Sequence, residues 1–531
     1  MAQPETPEPN RKPANAPGWL NRMLQRFSQR AQGDVIATQI GENARNVVVG
    51  KNVIQIGTLQ IPFYLAVLIA VGVIIIGVST AVIAFSSSGL AGLLASPSRL
   101  TGQFNIAVAD FGESNAQGHI QATDNGRLLS QWVYDALKNA YATNPDLAQL
   151  TTVEIRHASP GLFGRTVTLG VVAGDTPQAR EIEAAKLSDK IGADMVIYGN
   201  INQAAPSGLA LEFYIAPQLQ PETSALIGRY MLGGLIPVPL PFKANDPLGK
   251  LAVSEDLTTR TTALFYLAAG LTFDLLGRPA QALTIFRQAE NQLTGWKATD
   301  GKEILYFFIG REALFLAQDK DKQTAALQEA EKAATQALAI KPDYVRAQIV
   351  LGGVYYRRAQ QLPPADRLME PSALTIALTN YEQAVALAEQ SEDPFMQSVA
   401  HLALALALRT KGQTYYLRGD AANANAAFDQ ATATIEQTLQ PLAAAQQYRL
   451  LAQAHLALGE AYFQQADVDR QQGKLAAQKQ HFTQASTAFA NCIAQGPKAP
   501  LDQILHEDII AKRCQPQQAN VEKALQQVAG G

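Results

Sequence analysis

The feature that most constrains the fold is a pattern of small and aromatic residues that recurs through the C-terminal half of the chain. A glycine is followed, after 12 to 26 residues, by an alanine and then by an aromatic residue four positions later. Small residues let two helices approach closely, and aromatic residues fill the space between successive repeats. The pattern therefore predicts a stack of helix pairs. Its signature residues are Gly270, Ala282, Phe286, Gly352, Tyr381, Gly412, Ala424, Phe428, Gly459 and Phe489.

This spacing resembles that of the tetratricopeptide repeat (TPR) family over residues 255–500. We count about five copies, three of which contain polar insertions, and the second copy has Ala334 where an aromatic residue is usual. The last predicted helix, within residues 501–531, caps the open end of the stack. Cys492 stands at a packed small-residue position and is interpreted as a buried structural thiol.

The TPR resemblance implies a groove, built from the first helix of each repeat, that holds a peptide or a partner protein. Arginines in such a groove suit carboxylate-rich partners, because a guanidinium binds a carboxylate through two hydrogen bonds. The alternative is that these arginines only solvate a helix face. In the first copy, leucines at 264, 267, 271 and 275 predict an apolar stripe that packs on the preceding domain. The groove positions implied by the resemblance are Arg311, Arg346, Tyr356, Arg357, Arg409, Gln413 and Tyr416.

Residues 63–85 form an uncharged, apolar stretch of 23 residues, which predicts a single transmembrane helix at 61–85. A buried core helix is the alternative. Seven Lys and Arg residues precede this stretch, but only Arg99 and Arg127 occur in the fifty residues after it. Because basic flanks stay on the cytoplasmic side, we expect a cytoplasmic N-terminus. The bulk of the chain is then expected outside a bacterial cell membrane, in contact with the lipid bilayer only through this one span.

The segments on either side of this stretch have distinct compositions. Residues 1–32 are proline-rich and then basic and amphipathic, which predicts disorder followed by a short helix at the membrane surface. Residues 33–60 alternate apolar residues with Gly and Asn turns, which predicts short strands. Strands this short are marginal alone, which favours pairing with neighbouring copies of the chain; disorder is the alternative. Residues 86–103 are a Ser/Gly/Pro-rich linker.

Residues 104–232 alternate between strand and helix patterns, which predicts a small α/β domain with a mixed sheet. The segments 106–113 (IAVADFGE) and 192–201 (GADMVIYGNI) resemble the N-terminal α/β domain of the TolB family. That resemblance implies a docking module without catalytic residues. Asp110 and Glu113 follow the first strand, where open α/β sheets bind ligands, although a solvated turn is the favoured interpretation. Residues 233–254 are a proline-rich linker.

Charge and residue spacing exclude several function classes. A net charge of -3 argues against a nucleic-acid binder. Two cysteines and six histidines without ligand spacing predict no metal, no cofactor and no enzyme. The predicted fold class is thus a membrane-anchored chain with an α/β domain and an all-α TPR solenoid. The predicted function is a non-enzymatic scaffold for proteins or peptides. The alternative is an envelope sensor whose α/β domain binds a small solute and signals across the membrane.

Overall fold

The computed structural model describes two units of the chain, Met1–Leu94 and Ala95–Gly531, which are treated separately below. The described residues are 47–50, 53–56, 59–62, 98–115, 118–144, 153–160, 166–202, 208–216, 226–238, 255–292, 295–297, 301–319, 321–369, 372–391, 393–499 and 505–530.

In the first unit, three short strands form an antiparallel meander within one chain. They are β1 (Val47–Gly50), β2 (Val53–Ile56) and β3 (Leu59–Pro62), and β2 lies in the middle. Each pair is joined by a two-residue connection, the usual length for a tight hairpin. The amphipathic segment predicted within residues 1–32 lies outside the described residues.

The predicted transmembrane helix requires correction. Residues 61–62, which the prediction placed in that helix, belong to β3, and 63–85 lie outside the described residues. No helix in the described part of the chain is both long enough and apolar enough to cross a bilayer. Apolar helices such as Lys302–Leu316 carry charged residues and bury their apolar side chains against neighbours. This finding overturns the membrane-anchored fold class and the predicted cell-membrane localisation.

The second unit begins with a mixed sheet to which a small hairpin is added. Its strands lie in the order Gly228–Met231 (β12), Gly208–Ile215 (β11), Met195–Asn202 (β10), Phe104–Val108 (β4) and Val153–Arg156 (β7). Strands β10, β4 and the edge strand β7 are parallel, and β11 and β12 continue the sheet antiparallel. All five residues of β4 are buried, as expected for a strand covered on both faces. The strands are β4 (Phe104–Val108), β5 (Gly112–Ser114), β6 (Ile120–Ala122), β7 (Val153–Arg156), β8 (Ala158–Pro160), β9 (Thr166–Thr168), β10 (Met195–Asn202), β11 (Gly208–Ile215) and β12 (Gly228–Met231).

Two helices connect the parallel strands, and both begin at a threonine cap. In α1 (Asp124–Thr143) the Thr123 hydroxyl accepts a hydrogen bond from a first-turn amide, and Thr176 does the same for α2 (Pro177–Ile191). Gly192 ends α2 in the left-handed conformation, with φ of 69°, which glycine adopts without strain. These caps explain why the helix bounds can be predicted from local sequence.

The rest of the second unit is a TPR-like solenoid of antiparallel helix pairs. Each pair packs on the next, and the first helix of each pair also contacts the first helices of neighbouring pairs. The first helices are α3 (Glu255–Leu275), α5 (Lys302–Leu316), α7 (Val345–Gln361), α9 (Pro394–Leu417) and α11 (Tyr448–Gln471). The second helices are α4 (Pro279–Gln292), α6 (Gln323–Ile340), α8 (Ala373–Gln390), α10 (Ala421–Ala444) and α12 (Leu475–Ile493).

Within most pairs, a glycine of the first helix lies directly against an aromatic ring of the second. A Cβ atom added at Gly412 would lie 2.7 Å from the Phe428 ring, and one added at Gly459 would lie 2.5 Å from the Phe489 ring. The equivalent contacts are Gly270 with Phe286 and Gly352 with Tyr381. In the second pair, Gly310 lies against smaller neighbours around Ala334 and Val350. Ala282 and Ala424 are fully buried beside these contacts. The close approach of the two helices thus depends on the missing side chain.

The C-terminal end of the solenoid is closed by a disulfide. A π-helix (Leu505–Cys514) is followed by α13 (Gln515–Gly530), and both pack on α12. Cys514 forms a disulfide with Cys492 of α12, so Cys492 is buried but is not the free thiol that its position suggested.

The α/β region and the first helix pairs share one hydrophobic core. Tyr141 of α1 packs edge-on against Phe265 of α3, with ring centroids 5.2 Å apart. Tyr230 of β12 stacks on Phe308 of α5 at 5.8 Å. Ile236, within the proline-rich segment, pairs with β11 through two backbone hydrogen bonds. The sheet therefore rests on first helices of the solenoid.

Candidate functional site

Two of the predicted groove arginines are buried inside the molecule. Arg311 is 6% exposed, and its Nη1 lies 3.0 Å from Oδ1 of Asp274 and also pairs with Glu312. The carboxyl groups of Asp274 and Glu312 thus share one guanidinium. Burial, helped by the charge of Asp274 and opposed by Arg311, raises the pKa of the Glu312 carboxyl to about 8. Arg311 therefore balances charge between α3 and α5 rather than presenting it to a partner.

Arg346 links the solenoid to the sheet. Its Nη2 donates a hydrogen bond to the Ile227 carbonyl oxygen at 2.8 Å, and its guanidinium carbon lies 4.3 Å from the centroid of the Tyr230 ring. Arg260 of α3 makes a similar contact, because its Nη1 donates to the Leu232 carbonyl oxygen at 2.8 Å. Arginines of the first helices thus hold the main chain on both sides of β12.

The other predicted groove residues lie together on α7 and α9, where they are partly exposed. The Tyr356 hydroxyl is 2.9 Å from the Thr410 hydroxyl, which joins the two helices. Arg357 donates to Gln360 of its own helix at 3.2 Å and forms no ion pair within the described part of the chain. We call this surface the first-helix face; it consists of Tyr356, Arg357, Arg409, Gln413 and Tyr416.

Arg409 belongs to this face and is paired within the chain. It contacts the Glu460 carboxylate of α11, which also lies 3.3 Å from Nη2 of Arg513 in the π-helix. Of the four predicted groove arginines, only Arg357 thus lacks both an ion pair among the described residues and a bond to the main chain of the α/β region. A carboxylate-rich partner is not supported by this arrangement.

A second candidate site is a cleft of about 450 Å³ between the α/β region and the solenoid. One wall comprises α2 and the outer edge of β12. The other comprises the start of α5 and the turns that precede α7 and α9. We call it the interdomain cleft. Its charged lining residues are Glu181, Arg229, Glu303, Lys341, Asp343, Arg346 and Asp393.

Two carboxyl groups of the interdomain cleft have a pKa above the ordinary value of a glutamate. Burial, together with the nearby Asp393 charge, raises the pKa of the Glu181 carboxyl, although Arg346 and Arg229 oppose this. Burial likewise raises the pKa of Glu303. Burial thus disfavours the charged form of both carboxyl groups, although Arg346 and Arg229 act on Glu181 and Lys341 acts on Glu303.

The sequence offered no signal for this cleft, because its walls come from segments far apart in the chain. Glu181 and Asp393 are more than 200 residues apart, and neither belongs to a motif. From the sequence, Asp393 can be recognised only as the N-cap of α9. Its carboxylate accepts hydrogen bonds from two first-turn amides of that helix.

Asp110 and Glu113 are both 4% exposed, so neither lies in the solvated turn that the sequence favoured. Asp110 accepts a hydrogen bond from Thr168 at 2.6 Å and lies 3.6 Å from Nε2 of His157. This buried cluster fixes the end of β4. The structure contains no cluster of three or more His, Cys, Asp or Glu residues placed to hold a metal ion, as far as its described residues extend.

No family model and no curated protein matches the sequence. Solved structures that are similar in part include the following three. A thermophilic TPR protein of Thermus thermophilus, TTC0263, is 20% identical, with coverage of 46% of this chain and 97% of its own and a TM-score of 0.29. A Rap protein complexed with competence and sporulation factor is 15% identical. The match covers 53% of this chain and 84% of the Rap chain, with a TM-score of 0.26.

A circular tandem repeat protein is 11% identical. The match covers 53% of this chain and 69% of the repeat protein, with a TM-score of 0.18. At these low TM-scores, the description of a TPR-like fold rests on the helix pairs themselves. The comparisons give no support to the TolB resemblance of residues 104–232.

Proposed function

We propose that the chain is a non-enzymatic interaction scaffold whose first-helix face binds an extended segment of a partner protein. The observation that carries this proposal is how the same solenoid holds its own α/β region. Arg260 and Arg346 of the first helices donate to main-chain carbonyl oxygens at Leu232 and Ile227, on either side of β12.

The first-helix face offers similar chemistry further along α7, the helix that carries Arg346, and on the next first helix, α9. Arg357 has donors not engaged in an ion pair within the described residues, and Gln413 supplies both a donor and an acceptor. Tyr356 and Tyr416 add aromatic surface, which is enriched at protein interfaces. A partner held through its main chain requires no acidic side chains, which agrees with the internal pairing of Arg311 and Arg409.

A random peptide library selected on the full chain tests this proposal. Enriched peptides should bind the Arg357→Ala, Gln413→Ala double variant at least about tenfold more weakly, or ~1.4 kcal/mol. The matched control is Arg358→Ala, Gln430→Ala, because Arg358 is paired with Glu331 and Gln430 is exposed on α10. Peptides that bind both double variants as tightly as the wild type would contradict the proposal.

A further inference from the structure

The antiparallel meander of the first unit has one face that consists only of large aliphatic residues. Residues that oppose one another across two strands of a sheet lie on the same face, and successive residues of a strand alternate between faces. The register opposes Ile54 of the central strand with Val49 of β1 and with Ile61 of β3. The flanking pairs follow the same alternation. We call this surface the meander face; it consists of Val47, Val49, Ile54, Ile56, Leu59 and Ile61.

The opposite face of the meander is mixed in composition. Gln55 and Gln60 oppose each other there across β2 and β3, and a glycine, a proline and two valines occupy its other positions. The glutamine amides can donate hydrogen bonds to water and accept them from it. The sheet is thus amphipathic, and the meander face is the side that must be removed from water.

The described part of the first unit contains no second layer that could cover the meander face. Its described residues are those of β1, β2 and β3 alone. The central strand β2 already has a strand partner on each side within its own chain. Three short strands become stable when their apolar face is packed, so the meander requires a layer against this face rather than a further strand.

The apolar area of the meander face fits a dimer. Burial of a Val, Leu or Ile side chain removes roughly 60–120 Å² of apolar surface from water. Two meander faces of six such residues each would therefore bury roughly 700–1,400 Å² in total, which spans the roughly 1,000 Å² that a specific interface needs.

A second copy of the chain is the occupant that matches this face. Its meander face has the same size, and no residue of the face is charged, so two copies meet without repulsion between like charges. A twofold axis brings the same surface of both copies together, and it is the commonest symmetry of protein oligomers. A different protein would need an aliphatic patch of its own, which soluble proteins rarely expose at this size.

We propose that the chain forms a dimer in which two meander faces pack against each other as a two-layer sandwich. The layers lie about 10 Å apart, and their strands cross at about 30°. Ile54 is on the central strand and opposes an aliphatic residue on either side, which places it close to the twofold axis of the dimer. Such a dimer carries two first-helix faces.

Sedimentation equilibrium of the full chain over a range of concentrations tests this proposal. We expect the wild type to form a reversible dimer. The Ile54→Thr, Ile56→Thr double variant should weaken dimerisation at least about tenfold, because it places hydroxyl groups on the meander face but keeps β-branched side chains, which favour strands. The matched control is Val53→Thr, Gln55→Thr, which changes the same strand on its opposite face and should leave the dissociation constant within about twofold.

A cysteine pair of variants keeps the test decisive if the double variant fails to fold. Ile54→Cys should form a covalent dimer on mild oxidation, whereas Gln55→Cys on the opposite face should form much less. The two natural cysteines, Cys492 and Cys514, are joined to each other and do not compete.

Four results would overturn the proposal. They are a wild type that stays monomeric at every concentration, a control that loses dimerisation as much as the double variant, and equal crosslinking at positions 54 and 55. The fourth is a double variant that dimerises as tightly as the wild type, which would indicate that copies pair through the edges of β1 and β3 or through another surface.

Discussion

The guanidinium of Arg346 stacks on the ring of Tyr230, with its central carbon 4.3 Å from the ring centroid. Arg346 is in the first turn of α7 and Tyr230 is in the edge strand β12, so this contact joins the solenoid to the sheet. The same guanidinium donates to the Ile227 carbonyl oxygen. The α/β region is thus fastened to a first helix by a charged group that the sequence had predicted to line a groove.

Arg346→Ala should lower the free energy of unfolding by about 2–4 kcal/mol. It removes a hydrogen bond from a charged donor, worth roughly 1.5–3 kcal/mol, and a cation–π contact of roughly 0.5–2 kcal/mol. Urea unfolding of the full chain measures this difference. Arg358→Ala on the same helix is the control, because the contacts of Arg358 with Glu331 and with the Tyr355 ring are partly exposed and should contribute less than the buried contacts of Arg346. An equal decrease in the free energy of unfolding in the two variants would contradict the role given to Arg346.

Gly412→Leu should destabilise the solenoid by about 1–3 kcal/mol, which is the usual effect of overpacking a core. An added Cβ would lie 2.7 Å from the Phe428 ring, so the two helices must separate. Gly234→Leu is the control, because nothing lies within 4 Å of a Cβ added there. The control should change stability by less than about 0.5 kcal/mol, as measured by urea unfolding. A stability for Gly412→Leu that matches the wild type would show that the helices of this pair do not meet at Gly412.

The solenoid could be predicted from the sequence because its packing is local. Gly412 and Phe428 are only 16 residues apart, and their small-to-aromatic spacing recurs along the chain. The site could not be predicted in the same way. Helical spacing can place Arg346 on a face, but it contains no information about Ile227, which is 119 residues away and covers that face.

Position alone also could not distinguish paired arginines from unpaired ones. Arg311 meets Asp274 from the preceding helix pair, whereas Arg357 on the next first helix meets no carboxylate among the described residues. The interdomain cleft was even less predictable from the sequence, because no motif relates Glu181 to Asp393. Partner residues that come from distant segments decide what each predicted side chain can bind.

Reduction of the Cys492–Cys514 disulfide should destabilise the C-terminal end of the solenoid. The bond spans 22 residues, and constraint of a loop of this size in the unfolded chain contributes about 3 kcal/mol. Urea unfolding with and without a reductant should therefore differ for the wild type. Cys514→Ala is the control, and its stability should not respond to the reductant. A wild-type stability that likewise does not change when the reductant is added would contradict the prediction.

The buried Glu312 carboxyl should make stability depend on pH. Its pKa is about 8 in the folded protein against an ordinary value of 4.5, so the folded state retains a proton that the unfolded state loses. Stability should therefore fall as pH rises from about 4.5 to about 8 and then level off. Glu312→Gln cannot ionise and should lose less stability between pH 6 and pH 9. A difference between wild type and variant that does not change with pH would contradict this assignment.

Hydrogen exchange of the full chain, with and without a library-selected peptide, tests the scaffold proposal most directly. Bound peptide should slow amide exchange in Val345–Gln361 and Pro394–Leu417, the helices that carry the first-helix face. Exchange in Pro177–Ile191 and Gly228–Met231 should be unchanged, because the solenoid already holds that region. Protection confined to the α/β region, with none in the two helices, would contradict the claim that this face binds a partner.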